Sequence, residues 1–381
     1  MKVLFVGNSL YYNGNGLAKS ARVTMKRLRN AGLEVRSLSM AGDENMPKPD
    51  YVMPMYHFPI FQKLVVSHSY YFAASNMDQI REAVAWADII HMEEPFVLEH
   101  KVGKEARRQG KACVGTYHVH TDNITRDLGM RGWKLPANLL LRNFIYYGYN
   151  YCSDLQCPSQ NAMERFSGYG YKGDMYCISN GIELEENVTV SEPQTDPYLI
   201  VCIGRFTNDK STHTLLEAMQ YCRHRSQIQL FFAGKGENEA KLKRMAAKLV
   251  RKGVIRYEPE FEFCSKSKLR ELARKAYLAV HCAVVEVEGL SIMEAVSQGT
   301  VPVVAEGPLT AAPQFTLSPE SRFPVQNAKA LAERIDWWIE HPEKRMEYAP
   351  KYIEAMKQYD VHNSISQLIE MYKKAIDKVK K

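Results

Sequence analysis

The stretch from residue 278 to residue 304 constrains the fold more than any other part of the sequence. An apolar run at 278–283 has the length of a buried strand, and Gly289 supplies a turn after it. The next apolar residues keep helical spacing: Leu290, Met293 and Val296. Gly299 ends that pattern, and a second apolar run reaches Val304. A strand, a helix and another strand in this order predict a unit of a parallel sheet.

The same alternation of short strands and helices occurs in both halves of the chain. The N-terminal half has apolar runs at 3–6, 35–38, 89–91 and 112–115, and the C-terminal half has runs at 199–203 and 228–233. A chain of 381 residues can bury two separate cores. We therefore expect an α/β protein with two doubly wound, Rossmann-like domains at 1–190 and 196–344. The polar segment 183–197, with its two prolines, is the predicted linker, and 345–381 is a helical tail.

Composition excludes several classes of protein. Hydrophobic residues make up 45% and charged residues 24%, as in ordinary soluble globular chains. No apolar run approaches the ~20 residues of a spanning helix, and the first apolar run is too short for a signal peptide, so we expect a cytoplasmic protein. The eight cysteines lack Cys-x-x-Cys spacing, which favours reduced thiols over a zinc site. The net charge of +7 comes without a nucleic-acid-binding motif.

Two glutamates flank the turn before the predicted helix. Glu286 precedes Gly289, and Glu294 lies in the second turn of the helix. The first amides of such a helix, near Gly289 and Leu290, suit a phosphate because they lack partners within the helix. Carboxylates beside an anion site need hydroxyl groups to bind, and a sugar nucleotide carries both groups. The alternative is a surface helix with an acidic start.

Glu286-x7-Glu294, with Gly289 inside it and Gly299-Thr-x-Pro-Val-Val after it, resembles the donor-binding signature of retaining family 4 glycosyltransferases. The resemblance implies a GT-B fold, in which two Rossmann-like domains face a central cleft and a C-terminal helix crosses back to the first domain. It also implies that Glu286 binds the donor hexose, that Glu294 binds the ribose, and that the backbone of Gly289 and Leu290 binds the diphosphate.

A cation pair follows the first strand of the second predicted domain, in the segment from Gly204 to Lys210. Arg205 can bridge two phosphate oxygens with its planar guanidinium, and Lys210 adds a point charge. The segment resembles the Gly-Arg-x-x-x-x-Lys motif of the same family, whose Arg and Lys bind the donor diphosphate. The alternative is a pair of solvated surface charges.

Two glycine loops also follow strands. Gly234 and Gly236 resemble a Gly-x-Gly beside the donor in the family, and Gly14-Asn-Gly16 ends the loop after the first strand. Contact with the donor and a simple glycine turn remain alternatives for both loops.

Histidines and acids follow N-terminal strands. His118 matches the active-site histidine of the family, with His120 as a second candidate, and Glu93 and Glu94 could line the acceptor site. Structural roles remain the alternatives, because a lone histidine is more often structural and an acidic pair is common at a helix start.

Two segments of the N-terminal half indicate a membrane surface. Basic residues recur at helical spacing, including Lys104, Arg107 and Arg108, and Trp133 and Lys134 open a second segment rich in aromatic and aliphatic residues. Such segments bind anionic headgroups, whereas a solvated helix face and a core helix are the alternatives. This half is also similar to bacterial glycolipid-synthesising members of the family, such as diacylglycerol glucosyltransferases.

The sequence departs from the family pattern in two places. Glu288 stands where many members have Phe, and the segment at 305–315 replaces a Gly-Gly loop, which leaves the identity of the hexose open. No Asp-x-Asp occurs, so we expect no divalent metal and no cofactor.

The expected function is that of a retaining hexosyltransferase at the inner face of a membrane. It would move a hexose from a nucleotide sugar, UDP-glucose or UDP-galactose, to diacylglycerol, a ceramide-like lipid or a glycolipid. The alternatives are a transferase for a polysaccharide or lipid-linked glycan precursor, a sugar-nucleotide epimerase, and a non-catalytic sensor of nucleotide sugars.

Overall fold

The computed structural model describes residues 1–12, 16–57, 71–127, 130 and 133–380. Contacts divide the chain into two compact units. Unit 1 comprises Met1–Asn180 together with His362–Lys381, and unit 2 comprises Gly181–Val361.

Unit 1 is built on a parallel sheet with the strand order β3-β2-β1-β4-β5-β6-β7. Its strands are β1 (Lys2–Val6), β2 (Glu34–Met40), β3 (Tyr51–Met53), β4 (Ile89–Met92), β5 (Ala112–Thr116), β6 (Asp154–Cys157) and β7 (Asp174–Cys177). Its described helices before residue 181 are α1 (Gly16–Asn30), α2 (Met77–Trp86), α3 (Val97–Arg108), α4 (Thr121–Asp127), α5 (Lys134–Tyr147) and α6 (Gln160–Phe166). The strand order reverses between β1 and β4, and ligands of such sheets bind where the carboxyl ends of those strands meet.

Unit 2 repeats this plan with the strand order β10-β9-β8-β11-β12-β13. Its strands are β8 (Tyr198–Ile203), β9 (Ile228–Ala233), β10 (Glu260–Glu262), β11 (Leu278–His281), β12 (Val301–Glu306) and β13 (Arg322–Pro324). Its helices are α7 (His213–Ala218), α8 (Glu239–Arg251), α9 (Lys266–Lys275), α10 (Leu290–Val296), α11 (Ala328–Glu340) and α12 (Pro342–Met356). Here the order reverses between β8 and β11.

The central strands are buried because helices cover both faces of each sheet, which is why they read as continuous apolar runs. Every residue of β5 and of β11 is buried, His281 included. The predicted α/β class with two doubly wound sheets is confirmed.

The C-terminal tail is shared between the units. The sequence-based boundary placed the whole segment from 345 with the N-terminal domain, but α12 belongs to unit 2. Only α13 (Val361–Lys380) packs in unit 1, from His362 onward. A short 3-10 turn, Lys357–Tyr359, and the non-helical backbone of Asp360 separate the two helices.

Polar contacts as well as apolar packing attach α13 to the sheet of unit 1. The hydroxyl of Tyr372 lies 2.5 Å from Nδ1 of His91 on β4. Nζ of Lys378 donates to Asp154 and to Asp174, each at 2.6 Å, at the starts of β6 and β7. The last helix is therefore an integral part of unit 1.

Replacing Met371 of α13 by alanine should lower the free energy of unfolding by about 2–5 kcal/mol, because the side chain is 1% exposed and its removal leaves a cavity. Met346 of α12 is 70% exposed, so Met346→Ala is the matched control and should change stability by less than about 0.5 kcal/mol. Urea denaturation measures both. Equal effects of the two substitutions would contradict the packing of α13.

Candidate functional site

In unit 2, two loops meet at the carboxyl ends of β8 and β11, where the strand order reverses. The loop after β8 carries Arg205 and Lys210, and the loop after β11 carries Glu286. A backbone hydrogen bond of 2.8 Å from the amide of Val284 to the carbonyl of Asp209 joins the two loops. The structure thus brings Glu286 to the segment that carries Arg205 and Lys210, although 76 positions separate Glu286 from Lys210.

The carboxylate of Glu286 contacts two side chains at once. Its Oε1 accepts a 2.6 Å hydrogen bond from Nζ of Lys210, and its Oε2 contacts Nε2 of His281. Glu286 is 8% exposed and His281 is 5% exposed. Burial by itself raises the pKa of Glu286, but His281 and Lys210 together outweigh it, so the pKa lies below its usual range. Glu286 is therefore a buried, ionised carboxylate with a partner on each oxygen.

Arg205 differs from Lys210 in its exposure, with 63% of its side chain accessible against 18%. Oδ2 of Asp209 lies 3.9 Å from a guanidinium nitrogen of Arg205 and 3.9 Å from Nζ of Lys210. Positive and negative groups thus alternate along this edge of the sheet, and the exposed guanidinium is open to an anionic ligand.

Two features of the structure require a glycine at position 289: the backbone conformation and the closeness of the Glu286 side chain. Its φ of +100° lies in the left-handed region that favours glycine. A Cβ atom at this position would come within 3.0 Å of Oε2 of Glu286. The glycine is therefore the N-cap residue of α10 and leaves room for the carboxylate. Leu290 begins the helix, and Glu294, partly exposed, follows one turn later.

The loop containing Gly234 and Gly236 packs closely on the loop after β8. A Cβ at Gly234 would come within 1.9 Å of the carbonyl oxygen of Gly204, and one at Gly236 within 2.7 Å of that of Phe206. The amide of Phe206 also donates to the carbonyl of Lys235. These contacts give both glycines a packing function, independent of any contact with a ligand.

In unit 1, Glu93 connects two histidines just after β4. Its Oε2 lies 2.9 Å from Nε2 of His118, and its Oε1 lies 3.5 Å from Nε2 of His91. Burial raises the pKa of Glu93, but the contacts with His118 and His91 outweigh it and the net shift is downward. Burial also lowers the pKa of His91 to about 4, so this ring is neutral at pH 7. His91 also contacts Thr116 and Tyr372, at 2.7 and 2.5 Å.

Glu94 and His120, two of the predicted acceptor-side residues, are held within unit 1. Oε2 of Glu94 accepts hydrogen bonds from the amide and the side chain of Asn8, which also donates to Glu99. Nδ1 of His120 lies 3.2 Å from Asp122, which also binds Arg165 at 3.0 Å. Both residues are at most 6% exposed and have partners within unit 1, and their contact with an acceptor stays a prediction.

Both predicted membrane segments have exposed side chains. On α3, Lys104, Arg107 and Arg108 are all exposed, but Arg108 is bound by Glu105, and Arg107 donates to the carbonyl of Asn150 and lies over the ring of Tyr151. Near and along α5, large side chains are exposed over more than half of their surface: Trp133, Leu135, Leu139 and Tyr146. Their spacing within the helix places three of them on one face, together with the exposed Arg142.

Gly16 begins α1 and is exposed, whereas Gly14 and Asn15 lie outside the described residues. Over the described ranges, no group of three or more His, Cys, Asp or Glu side chains could hold a metal ion. The helices that the structure describes include none long and apolar enough to cross a membrane.

The comparisons with known proteins agree with this architecture. Residues 14–186 match the family "Glycosyltransferase Family 4", and residues 184–355 match "Glycosyl transferases group 1". No protein of curated function matches the sequence. The chain belongs to the family 4 glycosyltransferases, which have the GT-B fold.

Several solved structures resemble the chain. Anabaena HepE in complex with UDP and glucose is 17% identical, covers 98% of this chain and 100% of its own, and has a TM-score of 0.72. The lipopolysaccharide outer core galactosyltransferase WaaB is 15% identical over 99% of both chains, with a TM-score of 0.70. The catalytic domain of cholesterol-α-glucosyltransferase from Helicobacter pylori is 37% identical over 43% of this chain and 99% of its own, with a TM-score of 0.40.

Sequence reasoning missed His281, Asp209 and His91. His281 interrupts an apolar strand five positions before Glu286, and that interruption is the signal that could have identified it. Nothing in the sequence indicated the pairing of His91 with Tyr372, because the two residues lie far apart in the chain.

Gly289→Ala should lower the free energy of unfolding by about 1–2 kcal/mol, because alanine disfavours a positive φ. It should also lower glycosyl transfer by roughly 10²-fold, because the new methyl group displaces the Glu286 carboxylate. Gly253→Ala is the matched control, since Gly253 has φ +64° and nothing within 4 Å of a Cβ. Chemical denaturation and initial-rate assays separate the two effects. A similar loss of transfer in both variants would contradict the crowding of Glu286.

Proposed function

We propose that this glycosyltransferase transfers a hexose, with retention of configuration, from UDP-glucose or UDP-galactose to a hydroxyl group of a membrane lipid. The observation that carries the proposal is the cluster of Arg205, Lys210 and Glu286 at the strand reversal of unit 2. It combines cations for a diphosphate with a carboxylate for sugar hydroxyls.

The donor diphosphate would bind Arg205 and Lys210. The exposed guanidinium of Arg205 can donate to two phosphate oxygens in a planar arrangement. Lys210 would add a second, less exposed positive charge to the same diphosphate. The hexose would then lie against Glu286, whose ionised carboxylate accepts hydrogen bonds from hydroxyl groups. Glu294, one turn further along α10, is the proposed contact of the ribose.

The two cations would stabilise the charge of the leaving diphosphate, a task that a divalent metal performs in other enzymes. The bond between C1 of the hexose and the phosphate oxygen breaks, and a bond from C1 to the acceptor oxygen forms on the same face. The proton of the acceptor hydroxyl passes to the leaving phosphate. This route needs neither a protein nucleophile nor a bound metal.

On the acceptor side, we assign substrate contact to His118. It follows β5 at the edge of the sheet where β4 also ends, and it is 9% exposed. Glu93 would keep the imidazole in place through the 2.9 Å contact with Nε2. Glu93 thus acts on the substrate through His118.

The lipid acceptor is proposed from the exposed face of α5. Apolar and aromatic side chains on that face, with Arg142 among them and Lys134 beside Trp133, match an interfacial segment that inserts rings below anionic headgroups. The helix follows α4 at the edge that carries His118, and it leads through residues 149–151 into the start of β6. Its N-terminal end, with Trp133 and Leu135, therefore lies toward the edge of the sheet that carries His118.

Arg205→Ala and Lys210→Ala should each lower kcat/KM for the UDP-hexose by roughly 10²–10³-fold, because each removes a charge from the leaving diphosphate. Arg251→Ala, at an exposed position at the end of α8, is the matched control and should keep full activity. The assay uses UDP-glucose and UDP-galactose with diacylglycerol vesicles, with and without EDTA. Wild-type rates in both variants would contradict the assignment of Arg205 and Lys210 to the diphosphate. Inhibition by EDTA would show that transfer requires a divalent metal.

Flotation with vesicles tests the membrane assignment. The wild-type protein should float with vesicles that contain an anionic phospholipid, and Leu135→Ser combined with Leu139→Ser should abolish flotation while UDP binding persists. Met346→Ser changes an equally exposed apolar residue of unit 2 and should float as the wild type does. Wild-type protein that stays off the vesicles yet glycosylates a water-soluble glycan would favour the polysaccharide acceptor instead.

A further inference from the structure

We propose that His281 is a positioning residue, which holds one oxygen of Glu286 in place while Lys210 leaves the other oxygen for the donor diphosphate. This inference rests on the proposed donor site and adds a residue and an order of contacts to it. It concerns unit 2 alone.

His281 is well suited to a fixed position. It is the last residue of β11, and its backbone pairs in register with Val304 of β12 in the middle of the sheet. Its ring is 6% exposed. The loop that follows is itself anchored, since the amide of Glu286 donates to the carbonyl of Leu309 at 2.8 Å. The imidazole and the backbone of Glu286 are thus both held by rigid elements.

The direction of the proton follows from the chemistry of the pair. A carboxylate is an acceptor, so the ring must carry a proton on Nε2 and donate it to Oε2 of Glu286. The pKa of Glu286, lowered by His281 and Lys210 against the effect of burial, agrees with an ionised acceptor.

Lys210 holds the other oxygen with less constraint. Its ammonium group ends a flexible side chain that is 18% exposed, and it also lies 3.9 Å from Asp209. Lys210 ends a short helical turn, and the next residue, Ser211, adopts a φ of +46°. Lysine is a mobile point charge, so it can change partners without a change of the fold.

The two partners of Glu286 therefore have different functions when a nucleotide sugar arrives. The diphosphate attracts Lys210 away from Oε1 of Glu286, and that oxygen becomes an acceptor for a hexose hydroxyl. His281 keeps the carboxylate oriented during this exchange and leaves the buried charge paired, which avoids the large penalty of an unpaired buried ion.

The exchange of partners at Glu286 also predicts that UDP and UDP-hexose depend on His281 to different extents. UDP has no hexose, so its binding requires Lys210 and Arg205 but not a correctly oriented Glu286. The loss of His281 should therefore weaken the transfer of the sugar far more than the binding of the free nucleotide.

The test compares His281→Leu with His281→Gln, whose side-chain amide can place an N–H near the position of Nε2. His281→Leu should lower kcat/KM for the UDP-hexose by roughly 10²-fold, while the Kd of UDP, measured calorimetrically, stays within about twofold of the wild-type value. His281→Gln should recover at least about tenfold of the lost kcat/KM. Thermal unfolding of both variants reports whether the fold is retained.

Each contrary outcome has a distinct meaning. Wild-type kcat/KM in His281→Leu would overturn the positioning function and leave the donor site intact. A loss of UDP affinity as large as the loss of kcat/KM, or no recovery in a folded His281→Gln, would show that His281 only supports the fold. Failure of the wild-type protein to bind UDP would overturn the proposed donor site, and this inference with it.

Discussion

The site of unit 2 depends on one buried carboxylate whose two oxygens have different partners. Glu286 would be costly to bury alone, because an ionised acid loses its hydration inside a protein. Lys210 and His281 compensate for this loss, and Gly289 leaves the space that the carboxylate occupies. A backbone hydrogen bond in turn joins the loops after β8 and β11, so the sheet holds the backbones of these two loops side by side.

Both units have a reversal of strand order in the sheet, but the residues near that reversal differ in their chemistry. In each sheet the strand order reverses once, and the loops beyond that point collect polar residues. In unit 2 they collect cations and an acid, which suits a phosphate-bearing sugar. In unit 1 the loop after β4 carries Glu93, which contacts His118 beyond the neighbouring strand β5, and behind them His91 contacts Tyr372 of the last helix. The return of α13 therefore completes the support behind His118.

The sequence predicts the fold class and the donor-site motifs because both depend on local patterns. The strand, turn and helix around Gly289 are set by residues close in the chain, and Arg205 and Lys210 follow a strand directly. Partners distant in sequence could not be predicted in this way: Asn8 with Glu94, or Lys378 with Asp154. Five strands were also missed: β3, β6, β7, β10 and β13. Three of them have only three residues, which carry too little periodicity to indicate a strand, and in β6 and β7 polar residues such as Asp154 and Asp174 interrupt the apolar run. The residue at which the chain rejoins unit 1, His362, depends on packing between distant residues, which the helical pattern of the tail does not indicate.

The most direct test of this account is a crystal structure of the protein with intact UDP-glucose or UDP-galactose, compared with a structure without ligand. We expect the diphosphate to lie on Arg205 and Lys210, and Lys210 to have left Glu286. A hexose hydroxyl should occupy its place on Glu286, while His281 keeps its contact with the carboxylate. A nucleotide bound elsewhere, or a hexose that does not reach Glu286, would contradict the account.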